Sequence, residues 1–140
     1  MGKEMIIETL NGLWTVKRAL IDQNVARSKV AAAGGQQDQS DGFSSIAFTH
    51  MREVASLLDR IVALDGLPEL QTVPAVAVGG DLTHQLQLSL EAERATTARY
   101  EQTLTVCDEA GDAETAGLVT AALENQREHI AWLEEELEQS

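Results

Sequence analysis

Six side chains able to bind a metal or carry charge interrupt the apolar stripes of this chain: Lys17, His50, Glu53, Glu93, Gln126 and His129. Polar groups on a core face are costly to bury unless they meet partners. His50 and Glu53 are spaced i, i+3, and so are Gln126 and His129, so each pair shares one helical face. Lys17 lies seven residues from both Leu10 and Asn24, on the buried line of its own helix. Two imidazoles facing two carboxylates at one level could hold a metal through His50, Glu53, Glu93 and His129. The same groups could instead satisfy one another as a metal-free ion network, with Gln126 as a hydrogen-bonding filler and Lys17 either inside the network or snorkelling to a bundle edge.

The elements that must position these groups are helical throughout. Ile7, Leu10, Leu13, Trp14, Leu20 and Ile21 recur at spacings of three and four, which predicts a first helix over about 4–32. The polar, glycine-rich GGQQDQSDG reads as a turn, and a second helix follows over about 43–64, ended by Gly66 and Pro68. The segment LPELQTVPAVAVGG is too broken for a helix and too long for a hairpin turn. Extended, it spans roughly 45–50 Å, enough to run the length of a helix of about 42 Å. It is therefore a crossover that leaves the second and third helices parallel. Asp81 caps a third helix (81–108), and Asp112 a fourth (113–138) after a short turn. All six polar residues fall within about a turn of the helix midpoints, so a bundle gathers them in one layer whichever way each helix runs.

Composition bounds the rest. The 140 residues form one domain, 1–140. Ten Lys and Arg against 23 Asp and Glu give a net charge of -13, which argues against nucleic acid and anionic membranes as partners. Cys107 is alone and on an apolar stripe, so it reads as a buried inert thiol. No segment reads as a secretory leader or a membrane span, and a cytoplasmic location is the expectation. Trp14, Trp132 and Tyr100 read as core aromatics.

Three stretches, RIVALDGLPELQ (Arg60 to Gln71), DEAGD (Asp108 to Asp112) and HIAWLEEEL (His129 to Leu137), give the chain a family likeness from near residue 5 to residue 138. It resembles bacterioferritin, within the ferritin-like superfamily. The resemblance implies an all-α, up-down-down-up four-helix bundle with the long crossover between its second and third helices. It also implies iron storage in a shell, ferroxidase activity at a di-iron centre, and haem held between two subunits by a second-helix methionine, here Met51. In such a centre the first and third helices each supply a Glu and the other two each supply a Glu-x-x-His pair. This chain departs from that pattern: Lys17 replaces the first Glu, His50-Met51-Arg52-Glu53 reverses a pair, and Gln126 replaces a bridging Glu. Ser45 and Thr49 stand where some members carry His and Asp for a third iron. Relatives continue into a short fifth helix that lines pores of the assembly, whereas this chain stops at Ser140 directly after its fourth helix.

Charge decides what such a core can hold. Four carboxylates balance two ferrous ions, but Glu53 and Glu93 against Lys17 leave about -1, and two divalent ions would leave about +3 in a dry interior. Iron or another divalent metal is therefore expected at no more than one per subunit. The favoured reading is an iron- and haem-binding subunit for iron storage or homeostasis, with an impaired ferroxidase centre. Its partners would be a second copy, a larger shell, or a ferroxidase-competent bacterioferritin subunit. A single-metal or heterodinuclear oxidoreductase and a metal-free bundle with a Lys17/Glu53/Glu93 network remain the alternatives.

Overall fold

The computed structural model describes residues 2–140, which form four long helices: α1 (Gly2–Ala33), α2 (Gln37–Ala63), α3 (Leu82–Ala110) and α4 (Ala113–Gln139). The expected Leu10, Leu13 and Leu20 of α1 are buried, while Ile7, Trp14 and Ile21 are half-buried beside them. On α1 the buried line is Ile6, Leu10, Leu13, Lys17, Leu20 and Asn24, so Lys17 continues the stripe inward. Asp81 accepts a hydrogen bond from the His84 amide at 2.8 Å, and Asp112 accepts one from the Thr115 amide at 3.0 Å, so both predicted caps start their helices. Gly111, with φ of 68°, ends α3 in the left-handed conformation and lets α4 fold straight back.

Contacts along the helices fix the topology. The start of α1 meets the end of α3 at Gly2 and Ala110, Lys17 meets Tyr100, and Asn24 meets Ser89, so α1 and α3 are antiparallel. Arg60 reaches Asp112 and Thr115 while Gln39 reaches Glu136, which makes α2 and α4 antiparallel as well. With tight turns joining α1 to α2 and α3 to α4, the order is up-down-down-up and α2 runs parallel to α3. The bundle core is in two parts. Ile6, Leu10, Leu57, Ile61 and Cys107 belong to one apolar cluster, and Phe43, Ile46, Leu86, Leu90 and Leu133 to the other.

The crossover after α2 has no secondary structure of its own, so its carbonyls need partners. Side chains of α1 supply them in sequence. Asn11 donates to the Leu67 carbonyl at 3.1 Å, Trp14 to Glu69 at 2.8 Å and Arg18 to Thr72 at 3.1 Å. Arg27 donates to Ala77 and Val78 at 2.7 and 3.0 Å. Burial brings the Arg27 guanidinium down to about 10, with the negative charge of Glu93 opposing.

The expected start of α2 requires correction. The helix begins at Gln37 rather than near 43, and the turn is confined to 34–36 with Gly35 at φ of 76°. Polar composition suggested a loop, but packing overrides it: the Ser28 hydroxyl donates to the Ser40 carbonyl at 2.9 Å, and Gln37 donates to Asp41 one turn on at 2.8 Å. Gly42 is helical because the Trp132 indole lies against it, edge-on to Phe43 at 5.7 Å between ring centroids.

A methyl group at Gly42 would fall 2.0 Å from a Trp132 ring carbon, whereas one at Gly117 on α4 meets nothing within 4 Å. Gly42→Ala is therefore expected to destabilise the protein by about 1–3 kcal/mol through overpacking. Gly117→Ala should stabilise it by roughly 0.5–1 kcal/mol through helix propensity. Chemical denaturation of the two variants checks this, and equal effects would place the indole elsewhere.

Candidate metal centre

Between the two apolar clusters lies a layer of ionisable side chains. Lys17 enters from α1 with only 1% of its surface exposed. Its Nζ lies 2.8 Å from Glu53 Oε1 and 2.8 Å from His50 Nδ1, and it also contacts the Tyr100 hydroxyl. These three contacts use all three ammonium hydrogens. With Lys17 donating to Nδ1, the His50 ring hydrogen is assigned to Nε2, which lies 2.9 and 3.1 Å from the two oxygens of Glu93.

Burial draws the Lys17 ammonium below its usual range, with Glu53 and Glu93 opposing. For His50 burial also acts downward, but the charge of Glu93 and hydrogen bonds to both carboxylates outweigh it and the net direction is up. Glu53 is brought down to about 2: burial resists this, but hydrogen bonds from His50 and Asn125 and the charge of Lys17 prevail. Glu93, fully buried, is also held well below the ordinary carboxylate range, because the positive field of His50 and the His50 hydrogen bond outweigh desolvation.

The structure brings all six predicted residues into this layer but divides them. His50, Glu93 and His129, from α2, α3 and α4, each offer one ligand atom within 4.8 Å of the others, and all three are buried. Glu53 lies on the opposite side of His50, facing Lys17, with its second oxygen accepting from Asn125 at 2.9 Å. Gln126 donates to Glu93 Oε2 at 2.8 Å and to the Glu93 carbonyl at 3.1 Å. Its own Oε1 has no partner, and neither does His129 Nδ1, which stands 3.6 Å from Glu93 Oε1. Two buried polar atoms without partners are costly as they stand. A carboxylate and two imidazoles are also the donors that a divalent cation recruits, so His50, Glu93 and His129 fit such an ion once His50 Nε2 gives up its hydrogen.

Two members of the layer were not legible as site residues. Tyr100 reads as a core aromatic, yet its hydroxyl is a partner of Lys17; its place two turns beyond Glu93 on one face was the available signal. Asn125 gave no signal, because adjacency to Gln126 on a helix normally turns a side chain away. Met51 lies outside the layer, 46% exposed on the flank of α2, with Phe48 one turn before it 58% exposed. Thr49 is buried and its hydroxyl donates to the Ser45 carbonyl at 3.0 Å, while Ser45 itself is exposed.

A depressed carboxylate pKa contributes stability that is present above the unfolded value and lost as pH falls through the folded one. For Glu53 that window runs from 4.5 down to about 2, and the shift corresponds to on the order of 3 kcal/mol. Denaturant melts at stepped pH should show the parent's advantage over Glu53→Gln shrinking across that window. An advantage that persists undiminished at its acid end would mean that Glu53 is not held as an ionised partner of Lys17.

Among known proteins, the Ferritin family, described as the ferritin-like domain, matches residues 39–140. The chain is 28% identical over 137 residues to the bacterioferritin of Mycobacterium avium, covering 98% of this chain and 86% of that protein. It is 29% identical over 136 residues to the bacterioferritin of Mycobacterium leprae, covering 97% and 86%. To the bacterioferritin of Streptomyces coelicolor it is 30% identical over 137 residues, covering 98% and 82%. With the helical order and crossover described above, these matches establish that the chain belongs to the bacterioferritin family of ferritin-like proteins.

Proposed function

We propose that this protein is an iron-storage or iron-homeostasis subunit whose bundle core holds no more than one divalent metal and whose Met51 ligates haem at a dimer interface. The observation that carries the first part is the buried Lys17 ammonium. It occupies the layer as a fixed cation and neutralises Glu53, leaving Glu93 as the one carboxylate free to balance a metal. One divalent ion then leaves about +1, whereas two leave about +3, and uncompensated buried charge of that size is strongly unfavourable.

The proposed ligands are His50, Glu93 and His129, with Glu53 as a further ligand if its contact with Lys17 opens, and Gln126 Oε1 in reach of the same carboxylate. A metal bound there would supply Lewis-acid or one-electron chemistry. The chain's own contribution is to orient the donors. Lys17 holds the imidazole from its Nδ1 side at 2.8 Å, which keeps Nε2 toward Glu93. The metal-free reading keeps one specific support, since His50 and Glu93 already bond directly to each other.

For haem, the fit rests on the flank of α2. Met51 and Phe48 are spaced i, i+3 and both are exposed, an apolar pair of the kind a macrocycle would cover. Exposed Leu67, Leu70, Val73 and Val76 add further apolar surface on the crossover, which supports self-association. In a two-fold dimer each copy would supply one thioether, and the bound haem would carry one-electron transfer. Whether the assembly continues to a shell, or includes a ferroxidase-competent subunit, belongs to the same proposal.

Metal analysis by mass spectrometry after loading with ferrous iron should give at most one tightly held ion per subunit, without rapid oxygen-dependent oxidation. Lys17→Glu combined with Gln126→Glu should raise occupancy above the parent, with helicity confirmed by circular dichroism. Two tight irons in the parent would refute the charge argument.

Met51→Leu preserves volume and apolarity, so packing should change by less than about 1.5 kcal/mol while haem binding collapses. Visible absorbance after reconstitution reads this directly. Equal haem content in the parent and Met51→Leu would return Met51 to an ordinary surface role.

A further inference from the structure

A cavity of about 210 Å³ opens between α2 and α4 on the side of the layer where Lys17 and Glu53 meet. It exists because this seam is lined by short side chains, Ser56, Ala121 and Ala122, which cannot fill the space between the two helices. Its lining changes character along the bundle axis. At one end stand Leu10, Leu13, Leu57 and Val119; at the other stand Lys17, Glu53, Tyr100, Asn125 and Arg52.

The polar end carries two cations against one carboxylate. Lys17 has committed all its hydrogens to His50, Glu53 and Tyr100, and both Glu53 oxygens are engaged by Lys17 and Asn125. What remains to be offered is donors. Arg52 uses one N–H on the Thr49 hydroxyl at 3.3 Å and keeps the rest of its guanidinium open. Asn125 has its second amide hydrogen, and no described residue accepts the Tyr100 O–H. An apolar slot that ends in spare donors and a net positive charge is complementary to an apolar tail with an anionic acceptor head. A cavity of about 210 Å³ suits a short-chain carboxylate in size.

We infer that the cavity between α2 and α4 is a binding site for a small amphipathic carboxylate, its tail among Leu13, Leu57 and Val119 and its head on Arg52 and Asn125. The site borders the candidate metal centre at Glu53 but does not include His50, Glu93 or His129, and binding there does not require a metal. Bound acid would close the seam on which Glu53 retains its partial exposure.

Octanoate titrated calorimetrically into the full chain is expected to bind one molecule per subunit. The neutral analogue 1-octanol should bind at least tenfold more weakly. Arg52→Gln should cost octanoate at least tenfold in affinity and leave octanol unchanged, since it removes the head contact alone. Ala121→Phe, an exposed position on the cavity wall, should fill the slot and abolish binding of both with helicity retained. The inference is overturned if the parent shows no octanoate binding, if octanol binds as well as octanoate, or if either variant binds octanoate like the parent.

Discussion

The buried ammonium of Lys17 is the constraint on which the rest of the structure depends. A charge removed from water must find partners within its own reach, and Lys17 finds them on two other helices: His50 and Glu53 on α2 and Tyr100 on α3. The contact therefore ties three helices in one register. It also sets the charge of the layer, because Glu53 is spent on Lys17 and Glu93 is left to the histidines. Ion networks of this kind add little net stability compared with an apolar core of the same volume. Their effect is to specify one arrangement, since any slip in register strands a charge.

The layer divides the core into two apolar clusters, and α1 is the element that holds both sides together. Its inner face carries Lys17. Asn11, Trp14 and Arg18 on its flank and the buried Arg27 hold the crossover by its carbonyls. That same crossover presents Leu67, Leu70, Val73 and Val76 outward. The apolar surface of the crossover is thus fixed in place by polar bonds to α1. On the other side of the bundle α2 and α4 meet through short side chains, so the one thin seam is also the one that reaches the charged layer.

The helices, their order and their caps were legible because they rest on local chemistry. Apolar period, Asp81, Asp112 and Gly111 act within a turn of where they stand in the chain. The crossover was legible from arithmetic on its length and its two prolines. The start of α2 was not, because 37–42 are polar or glycine and join the helix only through Ser28 and Trp132, distant in sequence. Gly42 illustrates the point: a residue that argues locally for a turn is required by an indole ninety residues away.

For the site, the sequence by itself determined that six groups of opposed chemistry share one level of a bundle, with two carboxylates against one ammonium among them. Residue types and helical positions suffice for that, since midpoints align in any packing of the four helices. Only the tertiary structure decided who faces whom. It set Glu53 against Lys17 and Asn125, left His50, Glu93 and His129 converging beside two polar atoms without partners, and brought Tyr100 into the network. The reason is geometric: helical periodicity gives the face a side chain is on, but hydrogen bonds are decided within a few tenths of an ångström by helix rotation and rotamer. Those are set by packing on every other helix at once.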